Sequence, residues 1–156
     1  MTYLGADHGG VELKDALVAY LRERGEDVRD VGTTGSTSVD YPDFARQVAQ
    51  AVSRGEADRG VLVCTSGIGM SIVANKFPGV RAALVHDATS ARMAREHNDA
   101  NVLVVGGGMT GTFLARDLLR IFLETAFAGG RNQRRVDAIA AIERDLGVAR
   151  PPGALR

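Results

Sequence analysis

One cysteine, Cys64, is the only thiol in this chain of 156 residues. A single cysteine excludes an internal disulfide framework, and no Cys/His set has the spacing of a zinc site. An excess of charge of one sign is also missing, because 19 basic and 19 acidic side chains cancel. That balance argues against a nucleic-acid binder, whose domain normally carries a basic excess. It gives no attraction to an acidic membrane surface either, so any bound anion must be held by a local cluster of charge. No apolar run approaches the roughly 18 residues that a membrane-spanning helix needs. The N-terminus enters a strand-like segment at once and lacks the charged-then-apolar plan of a signal peptide. The cytoplasm is the expected compartment, where a lone thiol stays reduced.

What is present is a 45% apolar composition, enough for one compact domain with a sizeable core. Apolar runs alternate with amphipathic stretches. Residues 2–6, 27–31, 60–64, 81–85 and 101–105 read as strands. The runs VLVC, AALV and VLVV are almost continuously apolar, as parallel strands buried on both faces require. Helical patterns occupy 11–24, 43–54, 70–77, 90–97 and 112–127; in the first, Leu13, Leu17, Tyr20 and Leu21 recur at helical spacing. The alternation predicts an α/β fold with a doubly wound sheet of about five parallel strands. Residues 32–42 read as a turn-rich loop, long enough to suggest a functional role. After Phe127 an extra C-terminal helix carries Val136, Ile139, Ile142 and Leu146 on one face. It has no further strand to cover and is free to cap the domain or to cross to another subunit. Residues 1–146 are expected to form a single domain, and 147–156 a disordered tail.

In an open parallel sheet, ligands bind outside the carboxyl ends of the strands. Asp7-His8-Gly9-Gly10 follows the first strand, the turn Cys64 to Gly69 the third, His86-Asp87 the fourth and Gly106-Gly107-Gly108 the fifth. His97 and Asn98, where a helix stops before the fifth strand, are read onto the same rim. The segment CTSGIGMS is the most informative. Its small residues let several backbone N–H groups converge beside a helix N-terminus, a setting for a phosphate or a developing oxyanion, and the same field favours a thiolate at Cys64. A strand-end cysteine by itself is more often an inert core residue; the glycine-rich turn is what weighs against that. Histidine as a residue type is suited to exchanging protons near neutral pH, which makes His8 and His97 candidates for proton exchange with a substrate oxygen, though a lone loop histidine is commonly structural. Arg131, Arg134 and Arg135 offer bidentate donors to a phosphate or, equally, a solvated helix start. The run Gly106 to Gly111 fits G-x-G-x-x-G, but no second βαβ half follows, which argues against a dinucleotide site.

Taken in order, GADHGGVELK, DVGT, DYPDFA, CTSGIGMSIVANKFPGVRAAL, REHNDANVLVVGG and GGRNQRRVDAI resemble the type B ribose-5-phosphate isomerase family, which also includes galactose-6-phosphate isomerases. The likeness runs from Leu4 to about Glu143. It implies a Rossmann-like domain, a homodimer or dimer of dimers with active sites between subunits, a small sugar phosphate as substrate, and no metal or organic cofactor. It also implies roles. Cys64 matches the catalytic base, His97 the residue that helps open the sugar ring, and Asp7 a neighbour of the ring oxygen. The backbone from Ser66 through Gly67, Ile68 and Gly69 to Ser71 would hold an enediolate. Asn98 and Tyr41 would contact the sugar, and His8, Arg131 and Arg135 the phosphate, with the arginines entering from the partner subunit. Some relatives draw their base from a glutamate at the position of Met70, which cannot accept a proton.

Two departures fall on the phosphate side. Gly108 stands where relatives often carry an arginine, a loss of roughly 1.5 to 3 kcal/mol of charge-assisted bonding. Asn132 replaces a common histidine. The expected activity is interconversion of ribose 5-phosphate and ribulose 5-phosphate. The alternatives are the same chemistry on a four- or six-carbon or poorly phosphorylated sugar, and a sugar-phosphate binding protein without turnover.

Overall fold

A computed structural model of the chain describes residues 1–148. Five strands form one sheet: β1 (Thr2–Ala6), β2 (Val28–Asp30), β3 (Arg59–Cys64), β4 (Ala82–Leu84) and β5 (Val102–Gly106). Their order is β2-β1-β3-β5-β4, and every pairing is parallel. The three central strands are buried along almost their whole length, which is why their sequences are continuously apolar. The edge strands β2 and β4 have three residues each and are part-exposed, a short-edge plan that limits pairing with other chains.

Successive side chains of each strand serve opposite cores. Leu4, Ala6, Val61, Val63, Leu103 and Val105 pack with α1 (Val11–Glu23), α4 (Ala88–Asn98) and α5 (Thr112–Glu124). Tyr3, Leu62, Cys64, Val102 and Val104 pack with α2 (Tyr41–Arg54) and α3 (Ile68–Ala74). The expected doubly wound α/β sheet is therefore found. The helices after β1 and β5 cover one face and the helix after β3 the other. β3 thus has a crevice on each side at its carboxyl end.

Local boundaries differ from the sequence reading for identifiable reasons. α2 starts at Tyr41, with Asp40 as its N-cap and Pro42 in its first turn, where proline loses no helical hydrogen bond. The loop is shorter than 32–42 by those two residues. α5 ends at Glu124 and not Phe127, because Thr125 turns extended with its hydroxyl on the Ile121 carbonyl. The last helix, α6 (Arg131–Asp145), lies against its own chain. The Ala128 amide donates to the Glu96 carbonyl at 3.0 Å, and the Glu143 carboxylate accepts the Gly79 amide at 2.9 Å. Of the four apolar residues on its face, Val136 is buried, while Ile139, Ile142 and Leu146 stay exposed beside a cavity of about 590 Å³. Gly147 and Val148 close α6 through amides on Arg144 and Glu143 carbonyls. The rest of the expected disordered tail lies outside the described residues.

Candidate active site

Three loops meet at the carboxyl ends of β1, β3 and β5. The chain leaves β3 in a tight turn in which Gly67 adopts φ +79°, a conformation that only glycine takes readily. A Cβ there would also come within 2.5 Å of Leu84 Cδ1. This turn carries the Gly67 amide back over Cys64, where it donates to Sγ at 3.1 Å. The thiol is 6% exposed. The Gly107 and Gly108 amides donate to the Cys64 and Thr65 carbonyls at 2.7 and 2.9 Å, binding the third loop to the second. The first loop is equally close, since a Cβ on Gly10 would lie 2.5 Å from the Val63 carbonyl oxygen and one on Gly107 2.9 Å from that of Gly9.

Asp7 directly follows β1, 6% exposed, and its Oδ1 accepts the Gly9 amide at 3.0 Å. His8 Nδ1 accepts the Val39 amide at 3.2 Å, which leaves Nε2 as the protonated ring nitrogen of the neutral side chain. The loop that supplies Val39 also leads into Tyr41, whose ring lies against α3. A Cβ on Gly69 would be 2.6 Å from Tyr41 Cζ. Ser66 Oγ accepts the Ile68 amide at 3.3 Å, and Ser71 Oγ donates to the Ile68 carbonyl at 2.8 Å. Asp7, His8, Tyr41, Cys64, Ser66, Gly67, Ile68, Gly69 and Ser71 therefore share one edge of the sheet. Met70 points away from it, fully buried in the core beneath α3.

Asp87 and His86 lie beyond β4. Asp87 is the N-cap of α4, its side chain accepting the Ser90 amide at 2.8 Å. That bond, with the Ser90 hydroxyl, holds its carboxyl below the usual carboxylate range. Its role is to start the helix.

His97 and Asn98 do not join this group. A helix that follows a parallel strand runs back toward the amino edge, so the last turn of α4 is opposite the carboxyl ends. The bonds there agree: Arg81, just before β4, donates to the Asn98 carbonyl at 3.0 Å, and the Asn101 carbonyl takes the Gly60 amide at 2.9 Å. From the Gly60 level to Cys64 is four strand steps, about 13 Å. Arg131 and Arg135 belong to the same amino edge, since the Ala128–Glu96 bond starts α6 beside the end of α4. Both arginines are exposed, and Arg135 Nη1 donates to the buried Asn132 at 3.3 Å. One chain thus carries the candidate residues as two groups on opposite edges of the sheet: Cys64 with an amide-rich turn, and His97 with Arg131 and Arg135. The expectation that His97 and Asn98 share the carboxyl rim is therefore corrected: α4 runs away from that rim, so its last turn ends on the opposite edge.

Other contributors were not singled out from sequence. Val39 acts through its backbone amide, which no residue type signals. Arg81, Arg95 and Asp99 surround the His97–Asn98 turn; the only hint was Asp99 directly after HN. Among the described residues, no group of three or more His, Cys, Asp or Glu side chains gathers to hold a metal ion, and no helix is long and apolar enough to cross a membrane.

Comparison with known proteins shows the family of the chain. A family model described as ribose/galactose isomerase matches residues 2–139. The chain is 49% identical over 139 residues to ribose-5-phosphate isomerase B of Escherichia coli (strain K12), covering 89% of this chain and 93% of that protein. It is 39% identical over 142 residues to the D-erythrulose-4-phosphate isomerase of Pectobacterium atrosepticum, covering 90% and 93%. Among solved structures, ribose-5-phosphate isomerase B of Clostridium thermocellum superimposes with a TM-score of 0.91 at 48% identity, covering 93% of this chain and 98% of that one.

Proposed function

The chain belongs to the ribose/galactose isomerase family, an aldose–ketose isomerase acting on a sugar phosphate, and from that premise we propose that its substrates are ribose 5-phosphate and ribulose 5-phosphate. In this proposal the enzyme is a cytoplasmic homodimer, or dimer of dimers, and each active site combines the carboxyl edge of one chain with the amino edge of its partner. The observation that carries the reading is the Gly67 amide donating to Cys64 Sγ at 3.1 Å within a turn of backbone N–H groups. A thiolate there is a base, and amides of the first turn of α3, those of Gly69 and Met70, are donors for the oxygen on which charge develops.

The reaction only rearranges protons within the substrate and needs no co-reactant. His97 of one chain, with Asp7 of the other near the ring oxygen, opens the furanose by shifting a proton from the C1 hydroxyl to the ring oxygen. The Cys64 thiolate then takes the C2 proton, and the electron pair forms the C1–C2 double bond of an enediolate. The thiol returns that proton to C1 while the C2 hydroxyl proton passes to the C1 oxygen, which gives the C2 carbonyl and C1 hydroxyl of the ketose and restores the thiolate. Asn98 and Tyr41 orient the sugar, and His8, Arg131 and Arg135 hold the phosphate. The placement of Cys64 and His97 on opposite edges of one chain supports a shared site.

The test uses ribulose 5-phosphate, which cannot close a furanose ring because its O5 is esterified. Exchange of its C1 proton with D₂O, followed by NMR, therefore requires the base but not ring opening. Cys64→Ala is expected to abolish both exchange and net isomerisation. His97→Asn is expected to keep exchange while losing conversion of ribose 5-phosphate. Exchange at the wild-type rate in Cys64→Ala would overturn the assignment.

One observation favours a second reading, the same chemistry on another sugar. Gly108 offers no side chain where relatives often carry an arginine, and one relative of similar length is named D-erythrulose-4-phosphate isomerase. A kcat/KM for erythrulose 4-phosphate above that for ribulose 5-phosphate would select it.

A further inference from the structure

Asp99 is the only non-glycine residue with positive φ among those described, at +46°. It follows His97 and Asn98 directly and ends α4, with its own amide on the Arg95 carbonyl at 3.1 Å and the next amide, Ala100, on Ala94 at 2.9 Å. This is the position where helices ordinarily place glycine. An aspartate there accepts backbone strain that a glycine would avoid, so its side chain must contribute something in return.

The carboxylate joins two arginines that come from different parts of the fold. Oδ1 accepts Arg95 Nη1 at 2.7 Å, and Oδ2 accepts Arg81 Nη2 at 2.9 Å. Arg95 is 4% exposed and is itself fixed by the Ala100 and Thr125 carbonyls at 2.6 and 3.3 Å, with its guanidinium over the Phe122 ring. Arg81 precedes the edge strand β4, and its Nε reaches the Asn98 and Asp99 carbonyls, each at 3.0 Å. The turn that presents His97 and Asn98 is thus held from the sheet on one side and from the α4–α5 seam on the other.

We propose that Asp99, Arg81 and Arg95 are positioning residues that fix His97 for ring opening. This rests on the ring-opening reading of His97 given above. A half-site delivered to a different subunit cannot be corrected by neighbours of Cys64 in its own chain. Its geometry has to be set before the subunits meet, and the double guanidinium clamp does that.

Asp99→Gly separates this role from simple helix termination, because glycine keeps the left-handed turn and removes only the carboxylate. The expected result is a kcat for ribose 5-phosphate lowered about tenfold or more, while C1 exchange of ribulose 5-phosphate stays within about twofold of wild type. Arg81→Lys keeps the charge, loses the fork, and should show the same selective loss; its partial exposure guards against a folding failure. Circular dichroism at the assay temperature confirms the fold of each variant. Wild-type conversion in both variants would overturn the proposal, as would equal losses of conversion and exchange. His97→Asn, run in parallel, reports on ring opening itself, and a non-selective loss there would sink that reading. Positioning would then be judged by the His97 Cε1–H NMR signal in Asp99→Gly. A signal coincident with that of the wild type would overturn the proposal, and a shifted or broadened one would uphold it.

Discussion

Lys14 offers a stability test that starts from the base of the site. Its side chain is completely buried, yet its ammonium meets Asp30 Oδ2 at 2.5 Å and Asp15 Oδ1 at 2.6 Å. Burial pulls its pKa down, but hydrogen bonds and charge from the two aspartates outweigh this and hold it above the ordinary 10.5. Asp30 Oδ1 also accepts the Gly32 amide at 2.9 Å, so the pair anchors the loop that reaches His8 through Val39. Lys14→Met keeps length and volume but leaves Asp30 without its cation. Removing one partner of a buried pair costs about 3 to 5 kcal/mol. Asp30 is 25% exposed and keeps the Gly32 bond, so the low end applies, about 3 kcal/mol. For a chain of this length that lowers Tm by about 6 to 12 °C. The assay is thermal and urea unfolding at pH 7 and fixed protein concentration. Asp15, 61% exposed, provides the control, and Asp15→Asn should change stability by less than about 1 kcal/mol. Adding Asp30→Asn to Lys14→Met should recover part of the loss by removing the stranded charge. The sign with pH follows from the raised pKa: the contribution of Lys14 is complete below its unfolded value and fades only as pH climbs through the folded one. A loss under about 1 kcal/mol for Lys14→Met at pH 7, or a contribution that fades on acidification through pH 6, would refute the reasoning.

Two further substitutions test the phosphate side and the turn. Gly67→Ala places a Cβ at φ +79° and 2.5 Å from Leu84 Cδ1; an expected stability loss of about 1 to 2 kcal/mol from backbone alone, read by urea unfolding, should accompany a fall in kcat as the amide leaves Sγ. Gly108→Arg brings its Cβ to 3.1 Å from the Thr65 methyl and 3.2 Å from the Thr65 carbonyl oxygen, so both the methyl and the backbone must give by a few tenths of an ångström. KM for ribose 5-phosphate should then fall by about tenfold, the equivalent of one charge-assisted bond, and an unchanged KM would favour a substrate other than a five-carbon phosphate.

How much of this was legible in the sequence depended on how local each feature is. The central strands were readable because burial on both faces leaves an unbroken apolar run such as VLVV, and the tight turn beside Cys64 was readable because Cys64 through Ser71 is one continuous segment. The start of α2 at Tyr41 was obscured by Pro42, which looks like loop but suits a first helical turn. His97 was assigned to the wrong edge because the sequence records that a helix stops there and not which way it runs. The Arg81–Asp99–Arg95 clamp spans up to 18 residues and has no periodicity to reveal it. Lys14 was not singled out from the sequence; only the fold brings Asp30, 16 residues later, to cover it.

The central claim is that the catalytic base and the ring-opening histidine act from different chains. It is tested most directly by mixing inactive Cys64→Ala with inactive His97→Asn, with subunit exchange confirmed by mass spectrometry. In a mixed symmetric dimer one shared site would hold both wild-type residues and the other neither. Since half of the dimers are mixed at equal proportions, conversion of ribose 5-phosphate should recover to about one quarter of wild type. If both residues serve a site within one chain, no mixed dimer contains an intact site, and activity would stay at the level of the separate variants.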